Sequence, residues 1–557
     1  MFMRAGVALG IAAALVVLVA GSPPTSAGNG WISGVSFKNI QASSPTSGAG
    51  YPVPPGSRVP VAGTCGPGPF NANHSESWIA VKPGTEDLVG SSKFFFDKYS
   101  TFYMFYLGSN RILGGSPVDN NQIQGYDCVS TGTQDMPPSW TDTTDPNVDF
   151  DTQGRVYQTM LPFNAFWDAS RLHPDGEIDV SFSDDMGLHW VKGNGGQALE
   201  PPNNASARQF GHVEDKQWIA VNHIIGNRFQ DHVYAVWSVF NGSAIKVRVA
   251  VSRDRGQTFD KAVTISPPSQ VGPAVTFVYP QIDAAGSLYV AFVSFPPNGS
   301  ASTIYVARST DDGQTFSPFV PVTTVNIIPT DGLPNTRFRD GITESFAASP
   351  TFKDHLYLTY EDWDGTQMDV KFTQSTDGGL TWSTPVVVND NVDQAGIPTD
   401  QFQPTVAAGP GGAVAVVFYD RRKTCPNDAS VLPADMGRTN FCIDVSLQAY
   451  KDQGTAAGAV PVGHNVRITD FTWDPEQPGQ HLGGLSQYPC AGARDPCPDG
   501  RGFIGDFFGL AISGKNIYAL FVSTHYPSNV TADEGGPVYY QQQVLATVKR
   551  KAFGSGY

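Results

Sequence analysis

An eight-residue turn recurs four times in this chain, and a chain that repeats one corner has to repeat whatever the corner joins. The copies run from Ser183 to Trp190, Ser252 to Phe259, Ser309 to Phe316 and Ser375 to Trp382. Each reads Ser-x-Asp-x-Gly-x-Thr/His-Trp/Phe, with the aspartates at Asp185, Asp254, Asp311 and Asp377 and the glycines at Gly187, Gly256, Gly313 and Gly379. Each comes after a strand-like run such as Ile245-Lys-Val-Arg-Val-Ala-Val251 or Thr303-Ile-Tyr-Val-Ala-Arg308. The eight residues therefore read as a hairpin turn: the Ser and Asp side chains can bond nearby backbone N–H groups, Gly supplies a positive φ, and the aromatic residue restarts a strand. A turn reproduced from unit to unit builds the fold and is not where chemistry occurs.

Two further strand-like runs precede each turn and persist where the turn itself has worn away. The first runs open at Trp78, Asn147, Trp218, Pro280, Ser345, Pro404 and Phe508, and the second at Leu88, Val156, Val233, Leu288, Leu356, Ala413 and Ile517. With 59 Gly and 43 Pro among 557 residues, and no long amphipathic helical pattern, the class is all-β. Four-stranded units in series, with no helices to cover their edges, are best accommodated as one β-propeller, because a ring removes long exposed edges. Seven blades are expected over residues 76–550, with six as the alternative count. Residues 28–75 include Val35-Ser-Phe37-Lys-Asn-Ile40, a candidate closing strand, and 551–557 are a tail.

The repeated turns resemble the Asp-box, or BNR, repeats of the sialidase superfamily. That resemblance implies a propeller and, through the superfamily's enzymes, a secreted glycoside hydrolase acting on a terminal sugar of a glycan, acidic sugars included. Asp boxes also occur in binding propellers, so a non-catalytic propeller that binds glycan or protein is the other reading. Sialidases have six blades and hold the substrate carboxylate with three arginines, the first in a Phe/Tyr-Arg-Ile-Pro motif, and use a Tyr nucleophile with a Glu and a separate Asp. Here the nearest match, Ser57-Arg58-Val59-Pro60, lacks the aromatic and lies far upstream of the first box, and no Tyr-Arg-Glu set matches by motif.

Strand parity says where a site would be. In a four-stranded meander the 3–4 turns share a face with the 1–2 turns, so the repeated boxes mark the back. The front rim is built from the segments that enter first strands and those that leave second strands. There the sequence puts Glu214-Asp215-Lys216, Arg339-Asp340 with Glu344, Asp400, Asp506, Glu361-Asp362-Trp363, Asp420-Arg421-Arg422 and His525-Tyr526. Two carboxyl groups can divide acid and base roles when their surroundings push their pKa values apart. The candidates for that work are Asp420, Asp506, Glu344 and Asp215. Arg339, Arg421, Arg422 and Arg501 can hold an anionic sugar bidentately, and Trp363 and Tyr526 can stack on one.

A net charge of −16 argues against nucleic acid as a partner. Arg4, the apolar run from Ala5 to Ala20 and the small residues after it have the layout of a secretory signal, so residues 1–27 are set aside and an extracellular protein is expected. That run is too short and too rich in small residues for a comfortable membrane span, and no other apolar run could cross a bilayer. Six cysteines suit three disulfides in an exported chain, with proximity favouring Cys425–Cys442 and Cys490–Cys497 and leaving Cys65–Cys128. No Cys/His spacing resembles a zinc site, so neither metal nor cofactor is expected, and the partner is a carbohydrate met by a monomer.

Overall fold

The computed structural model describes residues 35–43, 73–95, 105–119, 122–123, 142–163, 176–201, 213–241, 244–295, 301–328, 332–336, 338–341, 344–390, 399–428, 430–475, 502–528 and 536–557. Seven antiparallel sheets succeed one another along the chain, each built around a run of three or four consecutive strands. Their second strands are Leu88–Phe95, Val156–Phe163, Val233–Asn241, Leu288–Ser294, Leu356–Trp363, Ala413–Asp420 and Asn516–Ser523. Inner strands, the first of each blade, meet their neighbours around a central axis. The fold is one seven-bladed β-propeller, as the repeat predicts.

Blade 7 is completed from the other end of the chain. Phe37–Gln41 pairs antiparallel with Gln542–Lys549, from Phe37 opposite Val548 to Gln41 opposite Val544. The N-terminal strand thus supplies the fourth, outermost strand of blade 7, and pairing the two chain ends in one sheet closes the ring. The far C-terminus also packs down, the Tyr557 hydroxyl donating to the Val414 carbonyl at 2.7 Å.

The four repeated turns share one hydrogen-bond pattern. In the third copy the Ser309 hydroxyl donates to Asp311 Oδ1 (2.8 Å) and accepts from the Gly313 N–H (2.9 Å), while the Asp311 carboxylate accepts from the N–H and hydroxyl of Thr315. Ser183, Ser252 and Ser375 with Asp185, Asp254 and Asp377 repeat the Ser–Asp and Ser–Gly bonds. Trp190 is buried, whereas Phe259, Phe316 and Trp382 are half-buried against the sheets. Register fixes their face: Ser309 lies opposite Leu288 and Ser375 opposite Leu356, at the starts of second strands, whereas Asp420 lies opposite Gln401 at the far end of blade 6. Boxes and front rim are on opposite faces.

A second repeated device ties blade to blade. In blades 2, 3, 4, 5 and 7 the second strand opens Val-Tyr, Leu-Tyr or Ile-Tyr, and in the last four of these the buried hydroxyl reaches a carboxylate of the next blade: Tyr234 to Asp312 (2.7 Å), Tyr289 to Asp354 (3.2 Å), Tyr357 to Asp452 (2.6 Å) and Tyr518 to Glu86 (2.8 Å). In blade 2 Tyr157 bonds Asp151, which Arg255 of blade 3 holds at 2.7 Å. Each latch satisfies a phenol that the core would otherwise strand without a partner.

Cys425 and Cys442 are joined, stiffening the loop that leaves Asp420 on the front rim. Cys65, Cys128, Cys490 and Cys497, and residues 1–27, lie outside the described residues. Asn73 heads a glycosylation sequon but is fully buried and accepts from the Gln541 N–H at 2.6 Å, so in the folded protein it is closed to modification. Among the described residues no helix is long and apolar enough to cross a membrane.

Candidate functional site

The inner strands are irregular near their front ends. Glu76, Asp145, Lys216, Phe277 and Gln403 all have φ between +46° and +59°, a conformation that costs a non-glycine residue about 1–3 kcal/mol. In blades 1, 3, 4 and 6 the pairing slips at that point, between Ser75 and Trp78, Asp215 and Trp218, Thr276 and Tyr279, and Phe402 and Thr405. In blade 2 Asp145 separates two short strand pieces, Asp142–Thr144 and Asp149–Phe150. Bulges re-aim side chains and terminate pairing, and here the same strain recurs in blade after blade at one level of the axis.

Two residues beyond the bulge come Trp78, Trp218 and Tyr279. Trp78 packs on Trp218 with ring centres 4.6 Å apart, Trp218 on Tyr279 at 4.7 Å, and Phe507 of the segment entering blade 7 on Trp218 at 5.0 Å. These rings form one aromatic cluster beside the bulged residues. With Trp218, Tyr279 and Phe507 of this cluster, Lys216, Phe277, Val278, Glu344 and Asp506 line a narrow recess open to solvent, whose enclosed part, about 10 Å³, has room for about one water.

Asp506 sits between two cations. Its carboxylate pairs with Lys216 Nζ at 2.9 Å and with Arg339 at 2.6 Å and 3.2 Å. Burial opposes its ionisation, but Arg339 and Lys216 outweigh burial and hold it far below the usual carboxylate range. Arg339 and Lys93 in turn flank the ring of Phe503, at 4.6 and 4.4 Å from its centre, and Lys93 pairs with Glu76 at 2.6 Å. The Lys216 N–H donates to Asp145 at 3.0 Å.

Glu344 has the opposite environment. It is fully buried, neither carboxyl oxygen meets a hydrogen-bond partner from another residue, and burial lifts its pKa well above normal, with Lys216 offsetting only part. Asp340, buried and influenced by Asp400 and Asp506, is pushed up to about 8, and burial with the charge of Asp340 raises Glu361. Burial and the Asp145 charge push Asp215 up to about 6.

These shifts have a sign. Asp215, Asp340, Glu344 and Glu361 bind protons in the folded chain that the unfolded chain has already released above pH ~4.5, so their contribution is complete below that point and is lost as pH rises through the folded values. Between pH 5 and 8 the unfolding free energy is therefore expected to fall with pH, by up to about 1.4 kcal/mol per unit for each such carboxyl. Urea midpoints across that range check it. A flat or rising profile would contradict the buried protonated carboxyls, and Asp340→Asn should make the slope shallower.

The expected site residues divide by position. Asp506, Arg339, Glu344 and Asp215 come together at the axis. Asp420 is sealed inside blade 6, accepting from Gln401 (3.0 Å), Ser446 (2.6 Å) and the Arg422 N–H (3.1 Å) and pairing with Arg422 Nε at 2.7 Å. Arg421 is fully enclosed by Asp400 and the Pro334 carbonyl, and Arg422 also holds Asp390 and Asn465. Trp363 and Tyr526 are half-buried against the core of blades 6 and 7, outside the recess. Arg501 lies outside the described residues. Lys216, Glu76, Asp145, Phe277, Tyr279 and Gln403 reach the axis without being among the catalytic or binding candidates that the sequence suggests. A signal for three of them existed: Ser-Glu-Ser-Trp78, Asp-Lys-Gln-Trp218 and Thr-Phe-Val-Tyr279 share an aromatic two residues after the strained position. Among the described residues no group of three or more His, Cys, Asp or Glu is placed to hold a metal ion.

No protein-family model matches the chain, and no curated protein matches it significantly. Solved structures similar to it include a protein of unknown function from Dyadobacter fermentans, with TM-score 0.40 and 10% identity over 86% of this chain and 95% of that one. An alpha-L-arabinanase of Penicillium chrysogenum complexed with arabinobiose gives 0.37 and 12%, over 74% and 94%. A mutant of Trypanosoma rangeli sialidase displaying trans-sialidase activity gives 0.39 and 11%, over 92% and 59%.

Proposed function

We propose that this propeller is a sialidase-like glycoside hydrolase that takes the terminal sugar of a glycan at the mouth of the axial recess. One observation carries the reading: Asp506 and Glu344 line the same recess with pKa values displaced in opposite directions. Such a pair supplies a proton donor and an ionised carboxylate at one pH. Glu344 then protonates the leaving glycosidic oxygen as its bond to the sugar breaks, Asp506 faces the positive charge that develops on the sugar ring, and water adds to that carbon and returns a proton to Glu344. Trp218, Phe277, Tyr279 and Phe507 give the recess aromatic walls. Lys216 and Arg339 favour an acidic sugar, and the Cys425–Cys442 disulfide supports export.

The grip of two cations on Asp506 favours a second reading, a propeller that binds a glycan end without cleaving it. Purified protein offered a panel of glycans with neutral and acidic termini separates the two. Release of a terminal monosaccharide is the expected result, and saturable binding with no release would replace the hydrolase with the binding propeller. Neither binding nor release across the panel would remove both.

A further inference from the structure

The segment 502–507 reaches the axis from outside any sheet, and what holds it there is visible. Gly505 has φ +109°, and a Cβ on it would lie 2.6 Å from the backbone nitrogen of Glu76, so on the blade 1 side the segment has no slack. Opposite stands Gln403, fully buried at the blade 6 bulge with φ +46°. Its side-chain Nε2 donates to the Gly505 carbonyl at 2.7 Å and, more weakly, to Asp340 Oδ1 at 3.4 Å, while its backbone N–H leaves the sheet to donate to Glu361 at 2.9 Å. The residue after Gly505 is Asp506.

We infer that Gln403 is a positioning residue for Asp506: its amide fixes the carbonyl one residue upstream so that the carboxylate meets Lys216 and Arg339 together. Glu361 and Asp340 accept from Gln403, Asp400, Glu344 and Asp506 add their charge to this cluster, and Glu76 abuts Gly505 from blade 1; among so many carboxyls an amide donates to the Gly505 carbonyl without adding another negative charge. The inference rests on reading Asp506 as the ionised carboxyl of the recess.

Side-chain carbon-13 labelling of aspartate in the full-length protein, with Asp506 assigned as the resonance that Asp506→Asn removes, tests this whether or not the protein turns over a glycan. In the parent, Asp506 is expected to stay ionised to the lowest pH at which the fold survives. In Gln403→Met the Asp506 resonance should move at neutral pH, and its titration should enter the pH range in which the fold survives. If the panel has found a substrate, kcat should fall about tenfold with KM little changed. Gln403→Glu should match Gln403→Met near neutrality and regain the parental Asp506 resonance as pH falls, because the introduced carboxyl, once protonated, can donate to Gly505 again. An unmoved Asp506 in both variants, with near-ultraviolet circular dichroism intact, would overturn the assignment. So would a shift that acid fails to reverse, since that pattern belongs to packing. Absence of hydrolysis in the parent would sink the hydrolase reading alone and leave the Asp506 titration to decide this one.

Discussion

Glu344→Gln is expected to lower kcat by about 10²–10⁴-fold on the substrate the parent cleaves, the range a positioned general acid contributes, while the protein folds as before. The two halves of that expectation come from one fact. Glu344 is buried without a partner from another residue, and burial holds it protonated. An amide has its shape and, like the neutral acid, no charge, so the exchange should leave the urea midpoint near the parent's or raise it at alkaline pH. What the amide lacks is a proton acidic enough to give to a leaving alkoxide. The pH profile carries the same argument: parental kcat/KM should decline as pH rises through the raised pKa of Glu344, and the residual rate of the variant should lose that alkaline limb. A variant within about threefold of the parent across the profile would leave Glu344 no part in proton transfer.

What was legible in the sequence was whatever local chemistry decides. Ser309, Asp311 and Gly313 make their bonds within five residues, so the turn could be read from eight letters and the blades from its recurrence. The front rim came from parity. The site residues themselves were only half legible, for two physical reasons. A bulge is defined by the slip between two strands, and nothing in Asp215-Lys216-Gln217 alone says that Lys216 has left the pleat to face the axis. A charge in a sequence also carries no record of its partner. Asp420-Arg421-Arg422 and Asp506 looked alike, yet the first three are matched by Ser446, Asp400 and Asp390 within and beside their own blade, whereas Asp506 meets Lys216 and Arg339, 290 and 167 residues away, across the axis.

Asp506→Ala is expected to cost about 3 kcal/mol of stability and to abolish turnover, and the stability loss is the more informative part. Lys216 and Arg339 have side chains only 10% and 26% exposed, and removing their shared carboxylate leaves two shielded cations facing each other. Breaking a buried pair from one side costs about 3–5 kcal/mol, and the partial exposure of Arg339 and Asp506 argues for the lower end. Because the folded pKa of Asp506 lies below its unfolded value of ~3.9, its contribution is present above that value and is lost as pH falls through the folded one. The deficit of the variant should therefore be constant above about pH 5 and shrink in acid. The vacated space between the cations should also accept a small carboxylate: formate added to the variant should raise its urea midpoint by mass action and do little to the parent. A variant as stable as the parent at pH 7, or one indifferent to formate, would mean that Lys216 and Arg339 are satisfied by Glu76, Asp145 and Asp215 without Asp506. The axis would then be a self-sufficient salt-bridge network with no ionised carboxylate to spare for a sugar.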